Sequence, residues 1–350
     1  TDPSRLLLGT DIGLFIGLDG GSRWAADASG LGNVLVERLV TSEREGIHSL
    51  HAFTYGRGVL SAELAALPQR STNPGWTGLW FDPAQYGQGF KIEIVPETDT
   101  AIVGWYTHLP TAATRTRNSQ LWMTGAGTLR DGATELSLQR GRGRFDESGA
   151  TLQTVGTLRL RFVDCLHAEV EFDVQLDGID LQGTRQLQRL VPDTFCETFR
   201  QLGDGAISTL PLPPSASDLQ YGHTGTWFDP ATAGQGMLLE VLPASAQLAL
   251  SWYAYDFTDT GADANQPPLW LTAIGPIVAD RSEMTVSITR GGALDGDAAV
   301  TQSSVGTLTM TLHGCDTASA DYSLVLDGEA RSGSIALQRL TPSTLCRGTP

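Results

Sequence analysis

An internal duplication constrains the fold of this chain more than any other feature of its sequence. Residues 78–83 have the sequence GLWFDP and residues 225–230 have GTWFDP, and a Gly-Gln-Gly triplet follows each motif. Matching positions are 147 residues apart at this motif and 150 apart at the later motif LQRL, which occupies 187–190 and 337–340. Self-similarity over this length, with only three residues of insertion, indicates two homologous domains.

Each copy has the pattern of a series of short β-strands. Apolar and polar residues alternate within runs, and Gly, Asp or Asn separate the runs, as expected for strands and their turns. Glycine accounts for 40 of the 350 residues and charged residues for only 18%, which is typical of an all-β chain. In the first copy we predict eight strands, near 77–82, 88–96, 101–108, 120–129, 134–140, 151–164, 167–177 and 180–191.

Eight successive antiparallel strands joined by short turns favour a closed up-and-down barrel in each copy. Closure removes the unpaired edges that an open sheet would expose, and a two-sheet sandwich is the main alternative. The alternation predicts that Phe90, Ile92 and Ile94 share the core face of one strand and that Trp105 faces the core from the next. Trp252 holds the position of Trp105 in the second copy, so we expect both tryptophans to be buried in matching places.

The first strand of each copy is similar to a strand of known barrels. Residues 225–228, GTWF, resemble the Gly-X-Trp opening strand of avidin-like and lipocalin-like barrels, in which the tryptophan closes one end. The resemblance covers about four residues in each copy and adds to the case for a barrel.

The first 70 residues are not part of the duplication and predict a separate β segment. Asp19, Gly21 and Trp24 have the spacing D-x-G-x-x-W, which resembles the Asp-box of BNR repeats in sialidase-type and sortilin-type β-propellers. Gly17 departs from the family pattern, which usually has Ser or Thr there. Residues 54–60, TYGRGVL, are similar to the closing strand of the last blade in such propellers. The resemblance implies that Asp19 fastens a hairpin turn and has a structural role.

The domain organisation follows from the duplication and from this resemblance. A single blade cannot bury both faces of its sheet, so we expect further propeller blades upstream or on a partner chain; a decoration packed on the first repeat is the alternative. The predicted domains are a propeller-blade-like segment over 1–70, a β-barrel repeat over 75–200, a Pro/Ser/Gly linker over 201–221 and a second repeat over 222–350. Because such a linker is short and semi-rigid, we expect the repeats to be two separate beads.

The spacing of the four cysteines predicts the disulfides and the compartment. Cys165 and Cys196 are 31 residues apart, and so are Cys315 and Cys346, and each pair occupies the same place in its repeat. We predict one disulfide within each repeat, which indicates a secreted, extracellular or periplasmic protein. Four reduced thiols are the alternative. The sequence has neither a CxxC motif nor a Cys/His cluster, so it predicts no metal site, and we expect no cofactor.

The charge balance argues against two classes of partner. The formal net charge is −16 at pH 7, whereas binding to nucleic acid or to an anionic membrane needs clustered Lys and Arg. Lys91 is the only lysine. No run approaches the roughly 18 consecutive apolar residues that span a bilayer. A glycan or another cell-surface component is the partner that we predict.

Repeated aromatic and polar residues are the candidates for a ligand site. Enzyme motifs such as G-x-S-x-G and H-E-x-x-H are missing, and the repeated acids leave glycoside hydrolysis as the one enzymatic option. Aromatic faces stack on sugar rings, and amide and carboxylate groups can bind sugar hydroxyls. The candidate ligand-binding residues are Tyr106, Trp122, Gln88, Asp82 and Glu93 in the first copy and Tyr253, Trp270, Gln235, Asp229 and Glu240 in the second.

Several candidates have a definite expected position. Tyr106 lies on the outer face of its strand, so we expect it to be exposed. We expect Glu93 to be a solvent-facing strand residue. Asp82 would start a turn with the proline that follows it, and the amide of Gln88 would bind backbone groups of that Asp-Pro turn.

The leading interpretation is a secreted binding or adhesion module for carbohydrate that forms the C-terminal part of a larger propeller protein. The first alternative is an accessory region of a secreted propeller glycosidase whose catalytic residues lie upstream. The second alternative is a purely structural surface protein with solidly packed barrels and no ligand.

Overall fold

The structure, a computed structural model, describes residues 6–18, 23–26, 34–44, 47–63, 72–111, 119–145, 147–191, 196, 221–232, 234–242, 245–259, 265–341 and 346. It is built of antiparallel β-strands, which confirms the predicted all-β class. The chain divides into two compact units, one of residues 1–70 with 197–211 and the other of residues 71–196 with 212–350. Within the described part of the chain, no helix is long and apolar enough to cross a membrane.

The first unit contains two three-stranded antiparallel sheets. Their strands are β1 (Leu6–Thr10), β2 (Gly13–Leu18) and β3 (Arg23–Ala26) in one sheet and β4 (Val36–Arg44), β5 (Ile47–Thr54) and β6 (Gly58–Glu63) in the other. The hairpin turn that the Asp-box resemblance assigns to Asp19 lies outside the described residues, and so does almost all of the predicted linker. The propeller blade therefore stays a prediction.

The first repeat is a closed barrel in which every strand pairs with its neighbours in sequence and the last strand pairs with the first. Its strands are β7 (Gly78–Phe81), β8 (Gly89–Val95), β9 (Thr100–His108), β10 (Gln120–Thr128), β11 (Ala133–Arg142), β12 (Thr151–Phe162), β13 (His167–Leu176) and β14 (Ile179–Arg189). All eight predicted strands are present, and the barrel is confirmed over the sandwich.

The second repeat has the same topology and closes through its own first and last strands. Its strands are β15 (Gly225–Phe228), β16 (Gly236–Leu242), β17 (Gln247–Tyr255), β18 (Pro268–Val278), β19 (Arg281–Ala293), β20 (Gly296–Leu312), β21 (Thr317–Leu326) and β22 (Glu329–Arg339). The duplication in the sequence is therefore a duplication of the whole barrel.

Alternation along the strands fills the interior of each barrel with side chains. Phe90, Ile92 and Ile94 are buried on one face, as predicted. Trp105 and Trp252 are buried in matching places of the two cores, and Trp105 stacks on Phe90 with ring centroids 5.0 Å apart. Burying one large apolar side chain stabilises a fold by about 1.5–3 kcal/mol. Each barrel thus encloses a packed hydrophobic core.

Both predicted disulfides are present. Cys165 is bonded to Cys196 and Cys315 to Cys346, with a Cα–Cα distance of 5.7 Å in each pair. Closing a loop of this length restricts the unfolded chain, which in the loop-entropy account stabilises the fold by about 3–4 kcal/mol per bridge. The bridges join the region after β12 or β20 to the segment that follows the last strand of the same barrel.

Candidate functional site

Eight of the ten candidate residues lie where the two barrels pack against each other. The barrels are not separate beads, since both belong to one compact unit. We call their contact surface the seam; it is formed mainly by β8, β9 and β10 of the first barrel and β16, β17 and β18 of the second. Several contacts across the seam occur twice, with the barrels exchanged, as in the isologous interface of a twofold dimer.

Aromatic side chains form the centre of the seam. Tyr106 stacks on Tyr253, with ring centroids 4.8 Å apart and the ring planes inclined by 11°. The indole N–H groups of Trp122 and Trp270 donate to backbone oxygens of the opposite barrel, at 2.9 and 3.0 Å. All four side chains are buried, so the prediction that Tyr106 is exposed is wrong. Its side chain does leave its own barrel core, but the second barrel covers it.

The carboxylate of Glu93 reaches across the seam into the second barrel. It accepts hydrogen bonds from the backbone N–H of Thr226 at 2.7 Å and from the hydroxyl of Thr341 at 2.7 Å. The guanidinium of Arg339 lies 3.7 Å from the same carboxylate. Only 2% of Glu93 is exposed, so the prediction of a solvent-facing glutamate is wrong. Its outward position on β8 faces another barrel rather than water.

Glu240 makes the reciprocal contacts in the first barrel. It accepts from the backbone N–H of Leu79 at 2.8 Å, which matches the bond from Glu93 to Thr226. Arg189 lies 3.1 Å from one carboxylate oxygen and Lys91 lies 3.3 Å from the other. Burial lowers the pKa of the Lys91 ammonium, and the charge of Glu240 partly opposes that effect.

Two arginines complete the seam, and sequence reasoning missed them. Arg189 and Arg339 are the arginines of the repeated LQRL motif. Arg189 donates to two backbone carbonyls of the segment before β7, both at 2.5 Å, and Arg339 donates to the matching carbonyls before β15, at 2.7 and 2.6 Å. Each guanidinium also lies 5.6 Å from the ring centroid of the tryptophan in its own opening strand. The recurrence of this arginine in both copies of the motif was the available signal.

Each barrel also inserts one side chain into the core of the other. Phe145, in the loop after β11, packs in the core of the second barrel, where its ring centroid is 5.6 Å from that of Trp252. Leu294, in the turn after β19, packs in the core of the first barrel. We call Phe145 and Leu294 the plugs. The barrel cores are therefore completed reciprocally.

The Gly-Gln-Gly triplets hold the plugs in place. The amide of Gln88 donates to the carbonyl of Ala293 at 3.3 Å, and the amide of Gln235 donates to the carbonyl of Arg144 at 3.0 Å. Each acceptor immediately precedes a plug. A Cβ atom on the first glycine of either triplet would lie 2.2–2.3 Å from a side chain of the facing barrel. The Gln88 amide also donates to the side chain of Gln85 in its own Asp-Pro turn, at 3.0 Å. Gln88 therefore contacts both its own turn and the other barrel, and the prediction that it binds backbone groups of the turn is wrong.

Asp82 and Asp229 are the two candidates outside the centre of the seam. Each accepts a hydrogen bond from the backbone N–H two residues later, at 2.9 and 2.8 Å. This is the turn geometry that the Asp-Pro sequence predicts. Both aspartates therefore have a local structural role in the described chain.

The buried contacts at the seam hold the two barrels together. Among the repeated acids, Glu93 and Glu240 are both buried among hydrogen-bond donors and arginines. Breaking such a buried pair is strongly unfavourable, because the remaining charge loses its partner. In this arrangement the candidate aromatic faces contact protein, and their role in ligand binding stays a prediction.

A cleft of about 440 Å³ lies on the outer surface of the first barrel. It occurs where β10 and β11 separate, since these strands pair only at Met123 with Arg140 and at Thr124 with Gln139. The matching strands β18 and β19 pair over a longer stretch in the second barrel. The charged residues that line the cleft are Arg130, Arg159, Arg161, Glu135, Glu169 and Glu171.

No family model matches the chain, and no curated protein matches it. The function therefore has to be argued from the geometry of the seam and of the cleft.

Proposed function

We propose that the two barrels act as one rigid extracellular binding or adhesion module, without catalysis, that contacts a carbohydrate through the cleft on the first barrel. The observation that carries this proposal is that three charged residues of the cleft, Arg159, Arg161 and Glu169, have uncharged counterparts in the second barrel. The glutamates, tyrosines and tryptophans described at the centre of the seam recur in both copies, whereas residues that have diverged are available for a function of one copy.

The cleft is lined by ion pairs between arginines and glutamates of neighbouring strands. Arg159 lies 2.8 Å from Glu135, and Arg161 is hydrogen-bonded to Glu169. The hydrogen bond from Arg161 lowers the pKa of Glu169, so this carboxylate is ionised at neutral pH. Guanidinium groups offer several donors in a plane and carboxylates offer acceptors, which is a set that hydroxyl groups of a sugar can use.

The second barrel lacks three of these charged side chains. The strand pairing aligns Arg159, Arg161 and Glu169 with Thr309, Thr311 and Ser319. The pair Glu135 and Glu171 keeps acidic counterparts in the second barrel. At these three positions the first barrel has charged side chains and the second has hydroxyl side chains, which points to the first barrel as the ligand-binding copy.

The test is a comparison of glycan binding between the parent protein and a variant of the cleft. The variant Arg159→Thr, Arg161→Thr, Glu169→Ser gives the first barrel the residues that the second barrel already carries. If charged hydrogen bonds each contribute about 1.5–3 kcal/mol, we expect affinity for a glycan found on an array to fall at least tenfold at unchanged Tm. The control is Arg281→Thr, Glu283→Thr, which removes an exposed ion pair of the second barrel.

Two outcomes would reject the proposal. If the cleft variant binds as well as the parent, the binding surface is elsewhere. If the parent binds no glycan at all, the structural alternative gains support, since the packed interiors of both barrels are what a ligand-free structural protein would have.

A further inference from the structure

The two disulfides occupy the same place in the duplicated barrels, but their surroundings differ. Cys165 and Cys196 are buried, with 4% and 0% of their surfaces exposed, whereas Cys315 and Cys346 are partly exposed. A Cβ atom on Gly75 would lie 2.2 Å from the Cα of Cys196, which shows how closely the first bridge is covered. Because exchange with a thiol requires access to sulfur, the second bridge is the more open of the two to attack.

The neighbours of the two bridges differ in chemistry as well. The Nε2 atom of His223 lies 3.4 Å from the sulfur of Cys346, and only 3% of this histidine is exposed. The first barrel has Trp76 at the matching position, where it stacks on Phe162 with ring centroids 4.3 Å apart. Among the residues that the structure describes, the donor to the sulfur of Cys196 is the neutral amide of Asn73, at 3.4 Å.

A histidine beside one sulfur determines which of the two sulfurs of the second bridge leaves more readily in an exchange reaction. The sulfur that leaves in thiol–disulfide exchange departs as a thiolate, and a nearby histidine N–H donor or imidazolium stabilises a thiolate. Cys346 is the sulfur in contact with His223, so Cys346 is the favoured leaving group. The incoming thiol then bonds to Cys315.

We propose that Cys315 is a site of modification by low-molecular-weight thiols. The thiolate of the incoming thiol attacks the sulfur of Cys315, and the bond between Cys315 and Cys346 breaks. Its electron pair stays on the sulfur of Cys346, which becomes a thiolate beside His223. One disulfide is consumed and one mixed disulfide is formed, so no further oxidant or reductant takes part. This site is independent of the cleft and of its ligand.

The experiment uses the full chain and the first disulfide as an internal control. The protein is incubated with glutathione, the free thiol is trapped with iodoacetamide, and the cysteine peptides are mapped by mass spectrometry. We expect glutathione on Cys315 and the alkyl group on Cys346, at a rate at least tenfold above any modification of Cys165 or Cys196. Equal rates at the two bridges, or glutathione found mainly on Cys346, would overturn the proposal.

Two variants separate the histidine from simple exposure. In His223→Leu the bridge keeps its position but loses the donor, and we expect the rate at Cys315 to fall about tenfold while Cys165 stays unmodified. His223→Gln keeps a neutral donor, so we expect its rate of modification at Cys315 to lie between those of the parent protein and of His223→Leu. Folding is checked by Tm and by the intact first bridge. An unchanged rate in folded His223→Leu would show that exposure alone decides the reactivity and would reject the role of the histidine.

Discussion

Single residues show why the outer face of a strand is hard to interpret from sequence. Glu93 and Tyr106 both point away from the core of their own barrel, as the alternation predicts. The same alternation cannot tell whether water or another domain covers that outer face. The recurrence of Glu93 as Glu240 did indicate that the fold or the function needs the carboxylate. The structure shows that both carboxylates bind the opposite barrel.

The first prediction concerns the charge on Glu93. Glu93→Gln leaves the guanidinium of Arg339 at the seam without its carboxylate, which in buried pairs costs about 3–5 kcal/mol. We expect urea unfolding of the variant to show a loss of stability of that order. Glu283→Gln is the control, because its ion pair with Arg281 is exposed and such pairs contribute about 0–1 kcal/mol. Similar losses in both variants would contradict a special role for Glu93.

At the scale of secondary-structure elements, the sequence predicted the regular parts and missed the irregular ones. Every strand of the first barrel lies within a few residues of its predicted range, because period-two alternation is a direct consequence of strand geometry. The plugs Phe145 and Leu294 lie in connections that have no periodicity. Their apolar side chains in polar loops were the only signal, and their destinations depend on the packing of the second domain.

The second prediction concerns the plug of the first barrel. Phe145→Ala should destabilise the second barrel, because it leaves a cavity beside Trp252; Phe-to-Ala changes in cores cost about 3–5 kcal/mol. Hydrogen exchange should show faster exchange in β17 and β21, although the substituted residue belongs to the first repeat. Leu152→Ala is the matched control, since half of that side chain is exposed on the neighbouring strand. Faster exchange confined to the first barrel would contradict the insertion.

At the scale of the whole molecule, the seam joins the two barrels into one cooperative structure. Each core contains a side chain from the other barrel, and each seam carboxylate is bound by the other barrel. Separating the barrels would therefore expose buried charge and open both cores at once. The chain contains two copies of one fold, yet neither copy has a complete core alone.

The third prediction is that the two barrels unfold together. We expect calorimetry to show one transition for residues 72–341 rather than two, since coupled domains lose their shared contacts in the same step. Hydrogen exchange with temperature should show β8 and β16 losing protection over the same interval. Two separated transitions, with one barrel protected after the other has unfolded, would show that the seam is weaker than its contacts indicate.

The position of Lys91 has a practical consequence for labelling chemistry. It is the only lysine in the chain, and its side chain is fully buried at the seam. Dyes and cross-linkers that acylate a lysine amine can reach this one only when the barrels part. The rate of acylation of Lys91 therefore reports how often the seam opens, just as the rate of amide exchange reports local unfolding. A molecule labelled at Lys91 is by that fact one that has opened, and the closed molecule offers no lysine for conjugation.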